Sequence, residues 1–368
     1  MTGSGQTILP PATLGLLGGG QLGLYFVRAA QDQGYRVLVL DPDATSPAGR
    51  AADRHLVAAF DDLDAIETLA KYIPVRPSAR ALAITQDRIG EKRFLSAEGI
   101  PLAPFAVIDE DDSLAALPRD FPFPAILKVS RFGYDGKGQH SVAARTDLVQ
   151  ARNAIGAEPC VLEQRLPLDS EFSLIVARAE EGDMVFFPAV ENRHRDGILD
   201  VSIAPATLAP PLVDQARALV ERIARALGYV GVLAVEFFVS AGVLRVNEIA
   251  PRPHNSGHVS LDACQLSQFG YQVRTLCGLP LAPVAQHTPA VMVNLLGDLW
   301  FRHGGHEARE PDWSPLLKSP AVHLHLYGKR HPRRGRKMGH FTVLDADIEE
   351  ALALAYRLRA KLGIVDGR

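Results

Sequence analysis

The residues of this chain best placed to do chemistry are Glu236 and the pair Asn247-Glu248. Val232 to Val239 reads as a strand and Val243 to Ile249 as the next, with Ser240-Ala241-Gly242 as a tight turn between them. A two-residue turn at Ala241-Gly242 sets Glu236 opposite Asn247; one more loop residue sets it opposite Glu248. In either register Glu236 has an acidic or amide neighbour roughly 5 Å away across the ladder. Like charges so placed repel unless something neutralises them. A hard cation with oxygen ligands, partly hydrated and shared with nucleotide phosphates, does that. Glu236 is embedded in Val-Leu-Ala-Val-Glu-Phe-Phe-Val, which is too apolar for a solvated strand, and unpaired buried carboxylates are rare. The pattern predicts a metal on Glu236 and Glu248.

A second stretch suits phosphate. Gly133-Tyr134-Asp135-Gly136-Lys137-Gly138-Gln139 lies between the apolar run Ala125-Ile126-Leu127-Lys128-Val129 and a returning strand, Gln139 to Ala143. Its glycines let backbone N–H groups approach phosphate oxygens closely. It is not a P-loop, because Gly136-Lys137 is followed by Gly138 and a strand rather than by Ser or Thr and a helix. A glycine-rich hairpin alone is more often a plain turn; Lys128 just before it favours a phosphate clamp. A phosphate-covering loop beside a cation-holding carboxylate pair predicts an ATP-dependent enzyme.

The elements that must position these groups can be read from patterning. Thr13 to Leu17 reads as a strand, Gly18 to Gly23 as a tight turn, Leu24 to Gln33 as a helix and Tyr35 to Leu40 as the next strand, with Asp41 at its end. This matches the dinucleotide fingerprint and by itself suggests a nicotinamide enzyme, although any strand-to-helix anion site wants the same glycines. Pro74, Pro77, Pro101 and Pro104 punctuate the next stretch, with an amphipathic helix from Asp87 to Glu98 carrying Arg88, Lys92 and Arg93. A central unit of strands and helices runs from Phe105 to Thr288, including a clear amphipathic helix from Pro210 to Leu227. In the last unit, Val322 to Leu326 sets His323 and His325 on one strand face, for which a half-exposed surface is a better reading than a metal site. The basic run Lys329 to Lys337 has no interleaved aromatics and suits one small phosphate better than nucleic acid.

Composition agrees with such an enzyme. The 368 residues allow two or three domains. The 47% hydrophobic and 22% charged shares are those of a soluble globular protein. A formal net charge of −3 gives no global field toward nucleic acid or anionic lipid. The start lacks the basic and apolar regions of a signal peptide, and no apolar run reaches transmembrane length. Cys160, Cys264 and Cys277 have neither metal nor redox spacing and read as core residues in a reduced cytoplasmic setting.

Taken together, the motifs resemble the ATP-grasp enzymes, and within them the N5-carboxyaminoimidazole ribonucleotide synthetases of purine biosynthesis. The resemblance runs from Leu14 to Asp345. It is carried by Gly18 to Gly23, Gln86-Asp87-Arg88, Gly133 to Gln139, His194 to Leu199, Gly228 to Val232, Asn247-Glu248, Ala250 to His258 and Gly335 to His340. It implies an α/β fold: a Rossmann-like unit (1–104), an ATP-grasp unit (105–288) and a small α+β C-terminal unit (289–368). It implies a ligase that joins bicarbonate to the exocyclic amine of 5-aminoimidazole ribonucleotide, using ATP and magnesium, with manganese as a substitute.

By that resemblance Arg88, Lys128 and the loop Gly133, Tyr134, Asp135, Gly136, Lys137, Gly138 and Gln139 serve ATP. Glu163, Gln164, Arg165 and Leu166 form the adenine hinge, Glu171 meets the ribose, and His194, Asn247 and Glu248 border the nucleotide. Gln21, Tyr134, Asp135 and Lys137 touch the ribonucleotide, while Lys329 and Arg336 bind its phosphate. Arg252, His254, Asn255 and Ser256 line the bicarbonate pocket. Arg252, His254 and Lys329 are the expected catalytic residues. A homodimer is implied, as is a functional link to the mutase that acts next.

One departure stands out. In the family a helix like Ala65 to Ala70 is followed by a strand with an acidic Thr-Glu-x-Glu-Asn-Val-like end, then another helix. Here Leu69-Ala70-Lys71-Tyr72 runs straight into Ile73-Pro74, so about twenty residues, one strand–helix unit, are absent at a place where such sheets bind ligands. Rival readings are another ATP-grasp enzyme such as a formate-dependent transformylase, a nicotinamide dehydrogenase, and an ATP-binding relative that has lost its acceptor.

Overall fold

The computed structural model describes residues 7–71, 75–109, 113–133, 138–301 and 307–364. Its first sheet is parallel and three-stranded, in the order β1 (Thr13–Leu17), β2 (Arg36–Leu40), β3 (Arg54–Leu56). The helix after β1 spans Gln21–Asp32, three residues earlier than patterning predicts. Gly23 therefore lies inside it, where a Cβ would come within 2.5 Å of the Gly18 carbonyl oxygen. That helix buries Leu24, Tyr25 and Val27 with Val37 and Val39 beneath, and with Phe269 and Val273 from the rest of the molecule.

Leu69, on the helix Leu63–Ala70, packs over Gly15 so closely that a Cβ there would be 2.9 Å from its Cδ1. Among the described residues no strand pairs with the outer edge of β1. Leu17 at its end is half exposed. The junction at Tyr72, Ile73 and Pro74 lies outside the described residues; the chain next forms the helix Ala79–Thr85.

The second sheet is antiparallel and combines β4 (Phe105–Ile108), β5 (Ala125–Val129), β6 (Gln139–Val142) and β7 (Cys160–Gln164) in the order β4-β7-β5-β6. Ile108, Leu127, Val142, Leu148 and Leu162 form its core.

The third sheet holds β8 (Ser170–Arg178), β9 (Met184–Phe186), β10 (Val190–Arg195), β11 (Ile198–Ala204), β12 (Gly231–Ser240), β13 (Val243–Ala250), β14 (Ala290–Leu296), β15 (Val322–Leu326) and β16 (Lys337–Leu344). The order is β13-β12-β8-β10-β11-β14-β16-β15, with β9 paired to β8. One hydrogen-bonded surface thus runs from the carboxylate hairpin to the basic C-terminal strands. The helix Pro210–Ala226 covers one part with Ala216, Val220 and Ile223. The helix Ile348–Lys361 covers another with Ala351, Ala355 and Leu358. Cys160 and Cys277 are buried, Cys264 is half-buried, and all three are free thiols.

The β12–β13 hairpin settles the register question in an unexpected way. Its turn has two residues, Ser240 pairing with Val243, and Ala241 and Gly242 both take positive φ, as a twisted two-residue hairpin requires. That turn length alone would put Glu236 opposite Asn247. A shift between Glu236 and Phe237 instead pairs Glu236 with Glu248 and leaves Asn247 without a register partner. The extra residue is a bulge in the strand, not a longer loop.

Candidate active site

The bulge brings Glu236 and Glu248 face to face. One carboxylate oxygen of each and a ring nitrogen of His254 lie within 4.8 Å of one another. Asn247 Nδ2 donates to Glu236 Oε2 (3.3 Å), while Asn247 Oδ1 is buried with no partner among the described residues. Two facing carboxylates and an orphaned amide oxygen are a hard-cation donor set, and magnesium fits it. The pair splits electrostatically. Burial, then Glu248, pushes the Glu236 pKa up. Burial opposes charge on Glu248 as well, but Arg88 above all, with Lys128, outweighs it and holds its pKa below the usual range. Arg88 Nη1 donates to Glu248 Oε2 at 3.1 Å, and Arg88 Nη2 donates to the Gly133 carbonyl at 3.3 Å. The root of the glycine loop is thereby tied to the metal end.

Arg88 is aimed by its helix. Asp87 caps Arg88–Ala97, accepting from the Ile89 and Gly90 N–H groups, and its carboxylate also takes Ser130 Oγ (2.6 Å) and Arg131 Nε (2.9 Å). One turn on, Glu91 and Lys92 are buried. Lys92 Nζ donates to the Asn247 carbonyl (2.8 Å) and pairs with Glu163 (3.3 Å). Glu91 Oε2 accepts from the Ile249 N–H (3.0 Å). The sequence pattern sets Lys92 on an amphipathic helix without assigning it a role, and it does not single out Glu91. Their spacing with Arg88 and Leu95 puts all four on one face, and that spacing is the signal that could have found them.

Lys128, expected to clamp phosphate, sits on β5 opposite Gln139 and pairs with Glu163 at 3.2 Å. Burial lowers its pKa, and Glu163 opposes that. Glu163 is held near 2: burial works against its charge, but Lys128, Lys92 and Arg88 prevail. Its Oε2 is thus engaged, whereas Oε1 is buried and unpartnered among the described residues. The Gln164 and Arg165 N–H groups donate to the carbonyls of Pro104 and Pro124, and Leu166 is half-buried beside them. Of the expected hinge, then, the Glu163 carboxylate offers an acceptor, and the N–H groups of Gln164 and Arg165 are taken. Glu171 accepts from His194 Nδ1 at 2.9 Å, so these two expected nucleotide neighbours meet. Glu171 shares a sheet face with Glu236, whose register partner is Ser173. Gly138 has φ +69° and Gly133 and Gln139 flank the loop tip; Tyr134, Asp135, Gly136 and Lys137 lie outside the described residues.

At the other end of the large sheet, Lys329 Nζ donates to Gln21 Oε1 and to the Lys337 carbonyl, each at 2.6 Å. Arg336 donates to the His331 carbonyl (2.7 Å). Thr45, then Arg330 and Arg336, hold the Asp43 carboxyl below its usual range. The start of the Gln21–Asp32 helix and the basic segment therefore converge, as a phosphate site requires.

Asn255 exchanges hydrogen bonds with Asn294 (2.8 and 3.2 Å), and both are buried, each amide satisfying the other. Ser256 is fully buried, and its hydroxyl pairs with His254 Nδ1 (2.9 Å). Both residues position the segment that carries His254. Burial, then Arg252, pushes the His254 pKa down to about 3, so the ring is neutral; its Nε2 lies 3.5 Å from Glu236 Oε1. Arg252 is exposed, with its guanidinium on the Pro253 carbonyl. The dinucleotide reading fails on geometry. Asp41 accepts from the Gly19 N–H (2.6 Å) and the Asp43 N–H (2.8 Å), so it closes the glycine turn rather than facing a ribose.

A carboxylate pair on an antiparallel hairpin, a lysine-bearing sheet with a glycine loop and a preceding Rossmann-like unit define an ATP-grasp enzyme. Family models agree: residues 11–77 match the ribonucleotide synthetase preATP-grasp domain, 93–269 the ATP-grasp domain, and 290–354 the phosphoribosylaminoimidazole carboxylase C-terminal domain. The chain is 40% identical to the N5-carboxyaminoimidazole ribonucleotide synthase of Brucella melitensis, covering 91% of this chain and 97% of that one. That alignment extends over 362 positions, more than 91% of 368 residues, so the relative carries residues with no counterpart here.

Among solved structures, the Staphylococcus aureus N5-carboxyaminoimidazole synthetase complexed with ADP superposes with a TM-score of 0.87 at 34% identity, covering 96% and 98% of the two chains. The Aspergillus clavatus enzyme with ADP and 5-aminoimidazole ribonucleotide gives 0.84 at 27% identity, covering 96% and 99%. The chain belongs to the N5-carboxyaminoimidazole ribonucleotide synthase family of ATP-grasp ligases. No helix among the described residues is long and apolar enough to cross a membrane.

Proposed function

We propose that this chain joins bicarbonate to the exocyclic amine of 5-aminoimidazole ribonucleotide, converting ATP to ADP and phosphate, in purine biosynthesis. The observation that carries the reading is the facing Glu236–Glu248 pair with the buried, unpartnered oxygen of the neighbouring Asn247. Bicarbonate is a poor electrophile. Transfer of the γ-phosphoryl group to its oxygen breaks the bond to ADP and makes carboxyphosphate. The amine then captures that carbon, or carbon dioxide released from it, with loss of phosphate and a proton. Such transfer is mostly positioning and charge neutralisation. Magnesium, or manganese, held by Glu236 and Glu248 supplies charge neutralisation on the phosphates.

Within the chain, Arg88 and Lys128 present positive charge to the same phosphates, and Glu163 Oε1 accepts from the adenine amine, a role its burial without another partner supports. Neutral His254 steadies Glu236 rather than acting as an acid at neutral pH. Lys329 and Arg336, with Gln21, take the ribonucleotide phosphate. Our unit boundaries, 1–104, 105–288 and 289–368, are supported by β4 starting at Phe105 and β14 at Ala290. A cytoplasmic homodimer feeding a mutase is the setting the family resemblance favours.

The test is ADP release with magnesium, ATP and bicarbonate, with and without 5-aminoimidazole ribonucleotide. A sharp rise with the ribonucleotide is expected. Release indifferent to it, or none with ATP still bound, would overturn the reading in favour of a relative that has lost this acceptor.

A further inference from the structure

β13, which carries Glu248, is the last strand of the large sheet. A buried edge strand needs partners for the backbone groups it does not give to its neighbour, and another strand ordinarily supplies them. Here Leu102 pairs with Val246 in a single parallel bridge, and the Val246 N–H donates to the Pro101 carbonyl at 2.8 Å. Among the described residues no strand extends that bridge. Beyond Val246 the partners are consecutive side chains of the helix Arg88–Ala97. Lys92 Nζ donates to the Asn247 carbonyl, and Glu91 Oε2 accepts from the Ile249 N–H, at 2.8 and 3.0 Å. The two contacts bracket Glu248, and the first falls on the bulged residue itself.

Neither residue is a surface charge that happens to reach inward: Lys92 is 1% exposed and Glu91 3%. Burying charged side chains is costly unless their geometry repays it. Lys92 finds a counter-charge in Glu163, 3.3 Å away, but Glu91 Oε1 has no partner among the described residues. Apolar side chains would cover the edge more cheaply, yet they would leave the Asn247 carbonyl and the Ile249 N–H unsatisfied. A strand in their place would favour even spacing along β13, which the extra residue at Asn247 breaks. Side chains accept that uneven spacing.

We propose that Glu91 and Lys92 are positioning residues for the ligase reaction: standing in for a missing strand, they hold β13 in its bulged register and keep Glu248 facing Glu236. The inference rests on the reading of Glu236 and Glu248 as metal ligands. Glu91 and Lys92 touch neither ion nor substrate in it; they act through the backbone on both sides of Glu248. A carboxylate displaced by about 1 Å is enough to cost about a hundredfold in rate.

The test compares two variants of the full chain. Glu91→Asp draws the acceptor back by one methylene and keeps its charge, whereas Glu91→Gln keeps an acceptor at full reach. In the metal-free chain, amide exchange at Ile249 should speed up about tenfold in Glu91→Asp, one hydrogen bond's worth, and return toward wild type in Glu91→Gln. Manganese titrated into the chain with ADP should bind about tenfold more weakly in Glu91→Asp, while the ribonucleotide KM moves less than about twofold. Glu91→Gln should restore the manganese affinity. Lys92→Met should weaken manganese likewise and also raise the KM for ATP, because Glu163 loses one of its two ammonium partners. With manganese bound by the wild type, the proposal is overturned by exchange and affinity unaltered in Glu91→Asp, or altered equally in Glu91→Gln. A ribonucleotide KM that rises as far as the manganese affinity falls overturns it too. A wild-type chain that takes up no manganese overturns the metal reading beneath it, and this inference with it.

Discussion

Burial raises the Glu236 pKa while Arg88 lowers that of Glu248, although the two face each other, and that difference dictates how each responds to change. Glu248, kept ionised by Arg88, is the stronger cation ligand; Glu248→Gln should cut the ribonucleotide-stimulated rate about a thousandfold, read as kcat/KM for ATP. Lys329→Ala should raise the ribonucleotide KM about 10–100-fold, the scale of a charge-assisted hydrogen bond, with ATP binding unchanged by calorimetry. Burial pushes the Glu91 pKa up to about 7, and Glu236 moves the same way. A carboxyl raised on folding contributes stability at low pH and loses it as pH climbs through the folded value. The metal-free protein should therefore melt lower at about pH 8 than at about pH 5, with each group contributing up to about 1.4 kcal/mol per pH unit. Glu91→Gln should flatten that slope in a calorimetric series. Glu163 and Glu248, both lowered, have their titrations below this window and do not offset it.

At the level of elements, the Asn247 bulge and the Asp87 cap do most of the aiming. Deleting Asn247 would leave Glu248 opposite Glu236 in a regular ladder but remove the bulge and the amide oxygen beside the pair. ADP release should fall sharply while circular dichroism keeps its α/β shape. Asp87→Ala removes a cap worth about 1–2 kcal/mol. It should lower the melting temperature by a few degrees and raise the KM for ATP, because Arg88 is the first residue of that helix.

The hairpin strands, the glycine-loop strands and the helix Pro210–Ala226 were legible because apolar periodicity writes them directly. The bulge was not, since alternation along Val243 to Ile249 looks the same with or without one unpaired residue. Neither the Asn255–Asn294 pair nor the burial of Lys92 was legible. Both rest on contacts far apart in sequence, Lys92 with Asn247 and Glu163, which no local pattern encodes.

For the whole molecule, the continuous sheet from β13 to β15 joins the ATP end to the phosphate end. The first sheet has three strands, and the direct passage from Lys71 to Pro77 is where the family pattern leads one to expect a further strand–helix unit. The ribonucleotide KM should exceed that of the Brucella relative about tenfold, one hydrogen bond's worth, in side-by-side initial rates, with ATP affinities alike. The bare edge of β1 has another consequence. Its outward N–H and C=O groups are a template for any strand of matching pattern. A relative's strand–helix piece, added as a separate peptide, has a place to dock without a covalent link. An edge of that kind can be complemented in trans, a strand taken in as a guest instead of an insertion.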